Sequence, residues 1–222
     1  MSNLAVDLVI FDCDGTLVDS EILCNLGLEI KLKELGIKIA TESLVSRFRG
    51  WKLADILDAI SQEYSLKLDD TFVLSYRQLV GSLFERQLQP ISNIATSLSK
   101  IPQLKCVASN APLNKIEQAV RVTKLEHFFD RHLFSAYTVK AWKPKPDLFL
   151  HAAKMMNVDV KNCIVVEDSI LGIEAANNAG MRSFWYQPNS FDCSDCFKNE
   201  DVVCFKDMLE LPGLISACPK AE

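Results

Sequence analysis

The chain has 222 residues, 49% of them apolar and 24% charged, with a net charge of −5. That balance fits a soluble globular protein with one full domain and a smaller insert, and is too short for two ordinary α/β domains. No basic stripe is present, which argues against a nucleic-acid partner, and no apolar run reaches bilayer length.

The apolar start, Leu4 to Phe11, is interrupted by Asp7 and lacks a basic lead-in. No secretory leader is expected, and a cytoplasmic address follows. Within it, Val6 to Phe11 reads as a strand buried on both faces. Asp12-Cys13-Asp14-Gly15-Thr16 breaks that strand. Asp19-Ser20 can cap a helix carrying Ile22, Leu23, Leu26, Ile30 and Leu35, with Gly36 as a stop. Helical spacing continues through Leu44 to Phe48, Leu53 to Ile60 and Thr71 to Leu88, and Pro90 ends the stretch.

The rhythm then changes. A helix near Ser92–Leu98 precedes a strand at Leu104 to Ala108, and a helix from Leu113 to Val122 follows the turn Ser109-Asn110. Leu133-Phe134 forms a short strand, and Lys143-Pro144-Lys145-Pro146 is a rigid turn into a helix over Asp147 to Met156. Cys163 to Val166 is a further buried strand, leading through Glu167-Asp168-Ser169 into a helix that Gly180 closes. Arg182 to Trp185 and Asp201 to Phe205 complete the strands. Strands alternating with helices predict an α/β fold with a Rossmann-like parallel sheet. The core would comprise residues 1–16 and 89–222, and an all-helical cap residues 17–88.

The eight cysteines do not read as a disulfide framework without a leader. Cys13, Cys106 and Cys163 lie in apolar strand-like runs, as small hydrophobes do. Cys193 and Cys196 have half the spacing of a zinc site, but no second pair follows, so a polar loop is the simpler reading.

Ligands bind beyond the carboxyl ends of strands in open α/β sheets. Here those ends carry Asp12 and Asp14, Ser109 and Asn110, and Glu167 and Asp168, with Lys143 on the adjoining turn. Several carboxylates at one place cannot all ionise unaided, and a hard divalent cation resolves the conflict. Lys143 and Ser109 then offer donors for a phosphate dianion. Taken singly, each has an ordinary alternative. Asp12 and Asp14 could cap a turn, Ser109-Asn110 could be the turn itself, Lys143 a solvated charge, and Glu167-Asp168 an acidic pair at a helix N-terminus.

Asp12 through Ser20, Val107-Ala108-Ser109-Asn110, Lys143 through Asp147 and Val166 through Ser169 together resemble, in order, the four motifs of the haloacid dehalogenase-like hydrolases. The insert is similar to the helical cap of the subgroup containing β-phosphoglucomutase and bacterial sugar-phosphate phosphatases. The resemblance implies that Asp12 attacks phosphorus and that Asp14 serves as acid and then base. Ser109, Asn110 and Lys143 would hold the phosphoryl group. Asp12, Asp14 (through its backbone carbonyl), Asp168 and Glu167 would bind Mg2+. It also implies that Arg49 and Lys52 lie in a substrate-specificity loop of the cap, where a solvated loop is the alternative. The substrate class is a small phosphorylated metabolite, a sugar phosphate or a phosphosugar acid such as 6-phosphogluconate, handled by a monomer.

A phosphomutase, a metal-free dehalogenase and a non-catalytic binding protein remain as rivals. Asp14 argues against the dehalogenase, and the presence of Asp12, Asp14, Lys143 and Asp168 against the binding protein. The mutase is expected to carry a histidine where Cys24 stands, and the three histidines, His127, His132 and His151, lie elsewhere.

Overall fold

The computed structural model describes residues 6–48, 51–188 and 201–218. They divide into two compact units, one of residues 1–19 with 89–222 and one of Ser20–Leu88. The half-zinc spacing at Cys193 and Cys196 lies outside the described residues.

The first unit is built on six parallel strands: β1 (Leu8–Phe11), β2 (Leu104–Ser109), β3 (Leu133–Ser135), β4 (Cys163–Glu167), β5 (Arg182–Tyr186) and β6 (Val202–Phe205). Their spatial order is β3-β2-β1-β4-β5-β6, so the α/β expectation holds. β1 is central and wholly buried, pairing Phe11 with Val107 on one side and with Val166 on the other. A strand covered on both faces needs continuous apolar sequence, which Leu8-Val9-Ile10-Phe11 supplies. Leu8 and Ile10 join Cys106, Ala108, Cys163 and Val165 in a core closed by Leu148, Phe149, Ala175 and Ala176. Each fully buried Leu, Ile or Phe contributes about 1.5–3 kcal/mol. Phe11 faces the other way, edge-on to Phe129 at 5.9 Å between ring centroids.

The helices of this unit among the described residues are numbered after four helices of the second. They are α5 (Ile94–Lys100), α6 (Leu113–Val122), α7 (Ala136–Val139), α8 (Asp147–Met155), α9 (Ile170–Asn178) and α10 (Leu211–Ser216). The helix expected from Ser92 starts later, because Asn93 takes a left-handed φ of 65° that no helix interior accommodates. Two short helices went unread in the sequence, α7 and α10. Ser135 caps α7 by accepting from the Tyr137 N–H. A capping box of Asp207 and Glu210 starts the 3₁₀ turn Met208–Glu210, which runs into α10.

Among its described residues the second unit is all-helical: α1 (Glu21–Glu34), α2 (Thr41–Phe48), α3 (Leu53–Tyr64) and α4 (Asp70–Gln87). Asp69 caps α4 through the N–H groups of Thr71 and Phe72. The chain leaves the first unit and returns to it side by side. Asp19 N–H donates to the Gln89 carbonyl at 3.0 Å, Ile91 N–H to the Leu17 carbonyl at 2.9 Å, and Val18 bridges Pro90 antiparallel.

α1 packs against α2 and α4. The approach to α4 is close because Gly27 has no side chain: a Cβ there would lie 2.6 Å from Cγ2 of Val80. Gly27→Leu is therefore predicted to lower stability by about 1–3 kcal/mol. Adding Val80→Ala should recover part of the loss, as measured by denaturant unfolding. An unchanged midpoint for the single variant would contradict this packing.

Candidate active site

The strand order reverses direction between β1 and β4, and such a switch point opens a crevice at the carboxyl ends of the strands. Asp12 follows β1 directly, its N–H donating to the Val166 carbonyl of β4 at 3.0 Å. Glu167 ends β4 and Asp168 follows it. Oxygens of Asp12, Glu167 and Asp168 all lie within 4.8 Å of one another.

Lys143 joins this group. Its Nζ donates to Asp12 Oδ1 at 2.5 Å and to Glu167 Oε1 at 2.6 Å, and its side chain is only 3% exposed. The ammonium also sits 4.9 Å from the Phe149 ring centroid, a cation–π contact. Its backbone is held separately, the Lys143 N–H donating to Oδ1 of Asn110 at 2.9 Å. Asn110 thus acts on Lys143, a role its turn-like sequence context did not indicate.

Glu167 is held from its other side. Its Oε2 accepts from the Ser169 N–H at 2.8 Å and the Ser169 hydroxyl at 2.9 Å, while Ser169 caps α9 through the Gly172 N–H. A Cβ at Gly172 would meet Glu167 Oε1 at 1.9 Å, so the glycine is the notch that admits the carboxylate. Asp168 is fixed as firmly. Oδ1 accepts from Thr16 Oγ1 at 3.0 Å, and its carbonyl accepts from Trp185 Nε1 at 2.9 Å and Gln187 Nε2 at 3.0 Å. Gly15, at a φ of +82°, leaves room for it; a Cβ there would lie 2.2 Å from Asp168 Oδ2.

Burial raises Asp12 to about 7, against the opposing pull of Lys143 and with Glu167 and Asp14 adding to the rise. Burial, followed by the charges of Glu167 and Asp12, lifts Asp168 well above the usual carboxylate range. Burial alone would lower Lys143, but Asp12 and Glu167 outweigh it and the group is raised. Three carboxylates therefore face the Lys143 ammonium in a largely buried crevice. A hard cation with oxygen preference suits that surplus of negative charge, and Asp12, Asp168 and Glu167 are the residues that could hold it. Glu167 also serves Lys143 and the start of α9, which ties any cation to the lysine beside it.

The Asp14 carboxylate is not part of this three-carboxylate group. Its carboxylate accepts from Lys115 Nζ at 2.8 and 3.0 Å. Ser109, buried at the end of β2, accepts from the Ala111 N–H at 3.2 Å. Lys52 is exposed immediately before α3, in the helical unit. Arg49 lies outside the described residues. Sequence reasoning missed Lys115, Thr16, Trp185 and Gln187. Thr16 stands inside the first motif and was open to inspection, whereas the other three carry no local signal.

A profile of the haloacid dehalogenase-like hydrolases matches residues 9–186. The chain is 38% identical over 217 residues to 6-phosphogluconate phosphatase of Escherichia coli K12, covering 96% of each protein. It is 31% identical over 179 residues to hexitol phosphatase B of the same organism, covering 78% of this chain and 80% of that one. A crystal structure of a conserved haloacid dehalogenase-like protein of unknown function from Agrobacterium tumefaciens C58 superposes with a TM-score of 0.80. It is 32% identical, and the match covers 96% of this chain and 98% of that one. With the carboxylates and lysine gathered at the switch point of its sheet, this chain belongs to the haloacid dehalogenase-like hydrolases.

Proposed function

We propose that the protein is a Mg2+-dependent phosphatase of a small sugar phosphate or phosphosugar acid, 6-phosphogluconate being the first candidate, acting through an aspartyl phosphate on Asp12. The observation that carries this reading is the group of Asp12, Lys143, Glu167 and Asp168 at the β1/β4 crevice, the first three of them buried. The E. coli relative that matches over nearly its whole length supports the substrate class.

In this reading Asp12 Oδ attacks phosphorus and the phosphorus–oxygen bond to the leaving group breaks. The bonding pair leaves on the alkoxide, which takes a proton from the Asp14 carboxyl. Water then attacks the phosphoaspartate as Asp14 accepts its proton, releasing inorganic phosphate and restoring Asp12. Dividing one hard displacement into two is covalent catalysis, and one carboxyl serving as acid and then base links them. Lys143, oriented by Asn110 and Glu167, neutralises charge on the phosphoryl oxygens, and Ser109 adds a hydroxyl donor. Asp12, Asp168 and Glu167 would hold Mg2+, with the Asp14 carbonyl, and the ion when bound would stabilise the negative charge of the transferring group. Water, not a second sugar, is the acceptor in this proposal, consistent with Cys24 standing where a mutase-type histidine is expected.

Asp12→Asn should lower turnover by about three orders of magnitude or more while leaving the circular dichroism spectrum unchanged. Labelled phosphate trapped on any other residue would refute the nucleophile. EDTA should abolish phosphate release from 6-phosphogluconate, Mg2+ should restore it, and Ca2+ should inhibit through its looser, larger coordination shell. Full activity after exhaustive chelation would remove the metal from the reading. Lys52→Ala should raise KM for 6-phosphogluconate several-fold more than for p-nitrophenyl phosphate, because Lys52 is proposed to bind the non-reacting end of the substrate. Equal changes on both would make Lys52 a bystander.

A further inference from the structure

Lys115 pairs with Asp14 across 101 positions of sequence. It lies in the first turn of α6, three residues beyond Pro112. A cation there opposes the helix dipole, at a cost of about 0.3–1 kcal/mol, and no acidic residue stands in that turn to relieve it. The pairing with Asp14 is no substitute source of stability. The two side chains are 28% and 33% exposed, a setting in which ion pairs contribute little to folding. The position is unfavourable for the helix dipole, and it delivers the ammonium to a carboxylate two residues beyond Asp12.

The fold explains how it gets there. β2 adjoins β1 in the sheet, so the turn into α6 and the loop after β1 emerge at the same carboxyl edge. The loop backbone is set by Gly15 N–H donating to the Val18 carbonyl at 2.9 Å. Lys115 acts on the Asp14 side chain. Nζ of Lys115 lies 2.8 Å from one Asp14 oxygen and 3.0 Å from the other, a contact that fixes the direction in which the carboxyl group points. Since a carboxylate offers about four lone-pair sites, one ammonium can orient it without using it up.

We propose that Lys115 is a positioning residue that orients Asp14 for proton transfer to the leaving group. The inference rests on the phosphatase reading above. Its readout is leaving-group dependence. An alkoxide needs Asp14's proton as the phosphorus–oxygen bond breaks, whereas p-nitrophenolate departs without one. Losing the orientation of Asp14 must therefore slow the cleavage of an alkyl ester and spare that of an aryl ester.

The test is rapid-quench measurement of the first step in the Mg2+-loaded full chain, with saturating 6-phosphogluconate and with p-nitrophenyl phosphate. Lys115→Ala should slow cleavage of the alkyl ester about 10- to 100-fold and that of the aryl ester about threefold or less, with little change in KM. Lys115→Arg should recover much of the loss. In an Asp14→Asn background, Lys115→Ala should add almost nothing, because residues acting as one unit are not additive. If the alanine variant loses helical circular dichroism, Lys115→Gln carries the same comparison. Equal slowing of both esters overturns the inference while leaving the phosphatase intact. So does a raised KM with unchanged turnover, or full additivity with Asp14→Asn. Absence of phosphate release from either ester by the wild-type protein overturns both.

Discussion

The ammonium of Lys143, clamped between Asp12 and Glu167 in a nearly dry crevice, is the contact on which the rest of the site depends. Three carboxylates cannot share that crevice as ions without positive charge among them. Breaking a buried pair by removing one partner typically costs about 3–5 kcal/mol, because the remaining charge is left uncompensated. Much of the surrounding structure serves this one group. Asn110 takes up the Lys143 N–H, Ser169 receives the far side of Glu167, and Gly172 vacates the volume that Glu167 fills. Asp168 is brought within reach of the same cation separately, by Thr16, Trp185 and Gln187.

Sheet topology supplies the meeting point. Because β1 and β4 are neighbours on which the order turns, residues more than a hundred and fifty positions apart, such as Thr16 and Asp168, become hydrogen-bond partners. β2 delivers Ser109, Asn110 and, through α6, Lys115 to the same edge. Gly15 and Gly172 meet two different demands. Gly15 combines a positive φ with a close approach to Asp168, whereas Gly172 is helical and matters only for the space it leaves.

Much of this was legible in the sequence, for identifiable reasons. β1, β2 and β4 are largely apolar runs with β-branched residues that end abruptly in Asp12, Ser109 and Glu167, and that signal survives without knowledge of the fold. Helix starts were harder. The Asn93 left-handed turn shifts α5, and the Asp207–Glu210 capping box was present in the sequence as an Asp-x-x-Glu spacing but passed unread. In the site, Asp12, Lys143, Glu167 and Asp168 were legible as motif members. Their division of labour was not. That Trp185 and Gln187 hold the Asp168 carbonyl follows from register between β4 and β5, and that Glu167 grips both Lys143 and Ser169 follows from the meeting of the Lys143 turn with the end of β4. Lys115 carries no local signal, since its pairing with Asp14 comes from the three-dimensional adjacency of β1 and β2.

The paired departure and return of the chain at Asp19 and Gln89 has an evolutionary consequence. An inserted segment whose two ends are already stitched together makes no demand on the length of what lies between them, and loop-closure entropy grows only logarithmically with that length. Residues 20–88 can therefore be lengthened, rebuilt or exchanged by recombination without shifting the register of β1 against β2 or β4. Lineages descended from such a scaffold can diversify the inserted segment rapidly while the reacting groups stay nearly frozen, so the insert and the sequence flanking it are free to record different histories.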